Sequence, residues 1–183
     1  QPDGTLLIFD GGGTTIAKLT PNAQGSYAAG TWTSLKSMYN SRLYFSSQVL
    51  KDGRIYVAGG EYGTGGSAAE VYNPLTNKWL MTPSPGVRFS DANSAMIPDG
   101  RVLNAVVSVS RTTKIYDPAT NTFTAGPTCL GSNNESAWVR LPDGSELMVD
   151  INSTNSERYI PASNTWIADA KVPVSLYDPY GLE

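Results

Sequence analysis

The chain has 183 residues, of which 16% are charged, with a net charge of −3, no histidine and a single cysteine, Cys129. That balance excludes a basic face for nucleic acid or anionic membrane, and the missing histidine removes the commonest general base and transition-metal ligand. No apolar run reaches membrane-spanning length, no cysteine cluster can hold zinc, and no cofactor is indicated.

Eighteen glycines and 12 prolines disfavour helix interiors and point to strands and turns. Taken from Gln1, the chain opens inside a motif, as a mature or trimmed form would. Asp-Gly then recurs at Asp3, Asp52, Asp99 and Asp143, in steps of 49, 47 and 44 residues. Asp-Gly suits the positive φ angles of a tight hairpin, and each copy precedes an apolar strand: TLLIF, RIYVA, RVLNAVV and SELMV. A short third strand follows in each copy, ending in Tyr72, Tyr116 and Tyr159, with Ala17-Lys18-Leu19 in the first.

After each tyrosine comes a turn of nearly constant form, NPLTNKW, DPATNTF and IPASNTW, which leads to Trp79, Phe123 and Trp166. Pro fixes φ and Asn tolerates the left-handed region, so both suit a loop between antiparallel strands. The first copy reaches Trp32 through a longer loop. From Trp32, Trp79 and Phe123 the Asp of the next Asp-Gly lies 20 residues on, and that spacer holds a candidate first strand: Arg42 to Leu50, Asp91 to Ile97 and Glu135 to Leu141.

Four strands per period of about 45 residues suit the blades of a β-propeller. Gly59-Gly60 after a strand, then Tyr72, then Trp79, resembles the kelch motif, whose repeats build such blades; the tyrosine and aromatic spacing extends the resemblance to the third and fourth copies. An all-β propeller of about four antiparallel kelch-like blades is expected. Their approximate bounds are 3–35 (lacking a first strand), 41–82, 88–125 and 134–168, with 169–183 as a tail or closing strand. Trp32, Tyr72, Trp79, Tyr116, Phe123, Tyr159 and Trp166 are expected to pack between blades.

The first copy lacks its innermost strand, and residues 172–180 fall where one could be returned, although Asp178-Pro179 interrupts it. A closed four-bladed ring, an arc of a larger ring and two arcs pairing into one ring therefore compete. Kelch rings usually have six or seven blades, so an arc or half-ring that relieves its exposed faces by self-association, for instance as a homodimer, is expected.

Ligands of propellers usually sit at the mouth of the central channel. Aligning the first strands places Tyr44, Asp91 and Glu135 at one position, Asp178 at the extrapolated fourth, Asn93 and Asn134 nearby, and Arg42 and Arg88 just upstream. Such an acidic ring suits a cation or a polyhydroxylated ligand, and the arginines suit a carboxylate or the neutralisation of the ring. The plainer reading is a water-filled polar channel. No metal set and no catalytic residue is assigned: Cys129 has no histidine to activate it, and the copper-radical oxidases among kelch-like propellers need histidines that this chain lacks.

The expected function is a non-catalytic scaffold that presents loops to a protein or glycan. The alternative is the scaffold part of a larger secreted carbohydrate-active or oxidase-type enzyme whose catalytic residues lie elsewhere. Composition leans towards a bacterial, extracytoplasmic setting.

Overall fold

The computed structural model describes residues 1–91 and 93–177. Within them the regular elements are strands, grouped into four antiparallel sheets. The first sheet holds β1 (Leu6–Phe9), β2 (Ile16–Thr20) and β3 (Thr31–Ser34). The second holds β4 (Ser46–Val49), β5 (Ile55–Ala58), β6 (Glu70–Asn73) and β7 (Lys78–Met81). The third holds β8 (Ser94–Met96), β9 (Val102–Val106), β10 (Thr112–Asp117) and β11 (Thr122–Ala125). The fourth holds β12 (Ala137–Arg140), β13 (Glu146–Val149), β14 (Ser156–Ile160) and β15 (Thr165–Ala168). Each sheet pairs its strands in chain order, the up-and-down topology of a propeller blade.

Local chemistry explains the hairpins. At every Asp-Gly turn the aspartate Oδ1 accepts the backbone N–H two residues on, at 2.9 to 3.0 Å, and the glycine carries φ between 79° and 96°. A side chain with a short carboxylate therefore closes the turn, and the residue without a Cβ takes the left-handed conformation. At the same end of the blades, in the turns between third and fourth strands, the tyrosine hydroxyls of β6, β10 and β14 donate to Asn77, Asn121 and Asn164.

The blades pack through their inner strands, β4 against β8 and β8 against β12, and form an open arc. One apolar cluster joins Ile16 and Met38 to Ile55, Val57, Tyr72 and Trp79, between the first and second blades. A larger one runs through blades two, three and four, where Tyr56 stacks on Tyr116 at 4.9 Å and Trp138 meets Trp166 edge-on at 5.3 Å. Tyr72 and Trp79 thus pack towards the first blade and Tyr116 towards the second, while Trp166 is met by Trp138 of its own blade. Tyr72, Tyr116 and Tyr159 are fully buried, Trp79 and Trp166 nearly so, and Phe123 is partly covered.

Trp32 departs from the expected packing. It is 58% exposed, together with Leu6 and Ile8, because no blade precedes the first one within the described residues. The first sheet has three strands, in the order β1-β2-β3. Part of the segment 172–180, and Asp178 with it, lies outside the described residues. The described part runs along the fourth blade: Val172 N donates to Thr154 O, and Asn152 N to Leu176 O.

Candidate functional site

First strands begin later than the sequence suggested, at Ser46, Ser94 and Ala137. The reason is backbone conformation. Tyr44, Ser90 and Glu135 hold φ of 51°, 58° and 48°, left-handed values that end an extended run. Tyr44, Asp91 and Glu135 therefore sit on the loops that enter the blades, on the face where the second strands leave them.

Those loops are tied to one another by the backbone. Leaving β5, Gly60 N donates to Ser90 O and Glu61 N to Leu43 O, at 2.7 and 2.8 Å. Gly59 makes the approach possible, since a Cβ there would meet Ser90 O at 2.1 Å. Asn93 Nδ2 donates in turn to Ser136 O, which joins the loops entering blades three and four. The chain of contacts delivers three carboxylates to one point: an oxygen each from Glu61, Asp91 and Glu135, all within 4.8 Å of one another and half-buried. Glu61 and Asp91 also engage neighbouring groups.

Three carboxylates so close repel unless positive charge or a proton joins them. Hard cations, ammonium and guanidinium groups all answer that need. Beside the cluster stand Tyr44 and Tyr62, 65% and 78% exposed, their rings 6.5 Å apart and edge-to-face. The Glu61 charge raises the Tyr62 phenol above its ordinary pKa. The mouth is thus acidic and aromatic.

The remaining residues expected there divide. Asn134 lies half-buried on the same loop as Glu135, and Arg88 is exposed next to the loop that carries Asp91. Arg42 has a different task. Its guanidinium is fully buried, bonded to Glu70 Oε1 at 2.8 Å and to the carbonyls of Gly59, Gly65 and Ala68. Glu70 also accepts from the backbone N–H groups of Tyr39 and Asn40. The pair stitches the glycine-rich loop to the strand, so Arg42 is a residue of the blade's interior and does not face the mouth. Cys129 is fully buried and its thiol is pushed up to about 12, chiefly by burial, which leaves it a packing residue.

Sequence reasoning missed Glu61. The signal was available: it follows Gly59-Gly60, where a second strand exits on the same face that the first strands enter. On the opposite face, a cleft of about 380 Å³ between blades three and four is lined by Ile97, Pro98, Ile160 and Pro161, with Asp99 and Asp143 at its side.

The Kelch motif family model matches residues 45–86, the second blade. The chain is 29% identical over 132 residues to spermatocyte protein spe-26 of Caenorhabditis elegans, covering 66% of this chain and 23% of that protein. Two F-box/kelch-repeat proteins of Arabidopsis thaliana match at 27% over 146 residues and 29% over 111, covering 66% and 54% of this chain and 30% and 31% of theirs. The chain therefore spans about a quarter to a third of the length of these relatives.

Proposed function

We propose that this chain, a kelch-repeat β-propeller segment, is a non-catalytic binding scaffold whose loop face takes a basic segment of a protein partner. The carrying observation is the convergence of Glu61, Asp91 and Glu135 beside the exposed rings of Tyr44 and Tyr62. Carboxylates attract Lys and Arg side chains, and tyrosine faces stack on guanidinium planes. A net charge of −3 favours the same class of partner at long range. Kelch repeats in the relatives' names support a protein as the ligand.

The test compares the wild type with Glu61→Gln, Asp91→Asn and Glu135→Gln combined, against an array of peptides graded from basic to acidic. Basic peptides should bind the wild type, weaken with salt, and lose that binding in the triple variant. Equal retention by both proteins would sink the reading.

The two exposed tyrosines favour a second reading, a glycan stacked at the same mouth. A glycan array separates the two: sugar binding that Tyr44→Ala abolishes and the carboxamide variant keeps belongs to the glycan. A further feature concerns assembly. The exposed Trp32, Leu6 and Ile8 on the first blade support completion of the ring by additional blades, from a second copy in the case of a homodimer. Light scattering on a size-exclusion column reads that directly, and a monomer at all concentrations would remove the homodimer.

A further inference from the structure

The second and fourth blades treat the same buried carboxylate differently. Glu70 and Glu157 each stand two residues before the blade's tyrosine and are almost wholly buried. Each accepts two successive backbone N–H groups from the loop entering the blade: Tyr39 and Asn40 for Glu70, Leu130 and Gly131 for Glu157, the latter both at 2.7 Å. In the second blade the guanidinium of Arg42, two residues after Asn40, neutralises the carboxylate. Counting the same two residues from Gly131 reaches Asn133, which is neutral. Its amide is committed elsewhere, donating to Thr112 O and accepting from Cys129 Sγ.

The fourth blade also adds a negative charge at this point. Asp150 stands where the second blade has Gly59, the first residue after the second strand. It is 94% buried by its 6% exposure, and its Oδ1 has no hydrogen-bond partner. Its carboxylate lies against the Cα of Gly131, where a Cβ would come within 2.2 Å of Oδ2, while the Gly131 N–H serves Glu157. Asp150 and Glu157 therefore flank Gly131 and line one cleft of about 160 Å³, which opens past Asn155, Asp169 and the exposed Lys171. A buried carboxylate oxygen without a hydrogen-bond partner, beside a second carboxylate, is unfavourable unless positive charge reaches it.

We infer that this cleft is a receptor for the guanidinium group of an arginine side chain supplied by a protein partner, in the place that Arg42 fills from within the second blade. The internal precedent chooses the ligand: a planar fork that bonds the carboxylate and the surrounding carbonyls together. The cleft opens on the face that carries the acidic mouth, because second strands end and third strands begin there. The inference shares with the proposed function the assumption of a protein ligand, and it uses none of the three mouth carboxylates.

Amide chemical shifts of the full chain, titrated at pH 7.5 with N-acetyl-arginine-N-methylamide, test it. Leu130 and Gly131 amides should shift and saturate. The citrulline analogue, neutral and of the same shape, and the Asp150→Asn variant should each weaken binding about ten-fold or more, the loss of one charge-assisted pair. Neutralising Glu135 should change nothing at these amides, so the cleft and the mouth fail separately. The double variant Asn133→Arg/Asp150→Gly rebuilds the second blade's arrangement and should lose the response while remaining folded. Several outcomes overturn the assignment: no shift at Leu130 and Gly131, an equal response to citrulline, binding unchanged in Asp150→Asn, a response to calcium alone in place of the arginine probe, or a response to free L-arginine but not the capped residue.

Discussion

The Tyr72 hydroxyl donates to Asn77 Oδ1 at 2.9 Å across the turn between β6 and β7, and the same oxygen accepts the Lys36 N–H at 2.8 Å. One asparagine thereby closes its own turn and holds the linker from the preceding blade. Its equivalents Asn121 and Asn164 repeat the bond to tyrosine at 2.9 and 3.0 Å, and all three take φ of 52° to 54°.

Asn77 therefore contributes twice, as an acceptor and as a residue that tolerates the left-handed region. Asn77→Ala should destabilise by about 2 to 3 kcal/mol, the sum of two unsatisfied partners and a Cβ forced to positive φ. Asn77→Gly relieves the backbone term alone and should recover about 1 kcal/mol of that loss. Urea denaturation of the three proteins measures both steps.

Removing Arg42 isolates a buried charge. Its partner Glu70 is fully covered, so Arg42→Met should cost about 3 to 5 kcal/mol, since the carboxylate is left without a counter-charge. The exposed pair Arg54 and Asp52 provides the contrast, and breaking that ion pair with Asp52→Asn should move stability by no more than about 1 kcal/mol. Thermal melts with matched heat-capacity terms compare them.

Much of this frame was legible in the sequence because it rests on local chemistry that repeats. Asp-Gly turns, the tyrosine-to-asparagine turns and the aromatic that follows each encode geometry within a few residues. The site was less legible because loops from three blades build it. Asp91 and Glu135 came out of an alignment of first strands, but Glu61 joins them only through the bonds of Gly60 to Ser90 and Glu61 to Leu43, contacts between distant segments. Arg42 was assigned to the mouth because its type suits anions, and nothing local reveals that Glu70, 28 residues on, claims it.

Position in the arc decides what a repeated aromatic contributes. Trp79 is 7% exposed, donates its indole N–H to Lys36 O at 2.8 Å and packs against Tyr72. Trp79→Ala should cost roughly 3 to 5 kcal/mol through the cavity it leaves. Trp32 occupies the same repeat position with its face open, and Trp32→Ala should cost less than about 1 kcal/mol in the isolated arc. A larger loss for Trp32, growing with protein concentration, would place it in an interface between copies.

Asp150 sets a pH dependence of unusual sign. Burial, reinforced by the Glu157 charge, raises its carboxyl from 3.8 to about 6, and the charged groups around the cleft are Glu157, Lys171 and Asp169, the last paired with Arg158 at 2.8 Å. A carboxyl with a folded pKa above its unfolded value holds its proton longer in the native state. Between roughly pH 4 and 6 the folded chain thus binds more protons than the unfolded one, and stability falls as pH rises through that window. Carboxylates paired with a cation give the opposite slope. Asp150→Asn removes the charge without changing shape, so it should gain on the order of 2 kcal/mol relative to wild type at pH 7.5 and little at pH 4. Saturating the wild type with the capped arginine at pH 7.5 should restore stability by the same electrostatic route, and denaturant midpoints across pH for both proteins measure the two effects together.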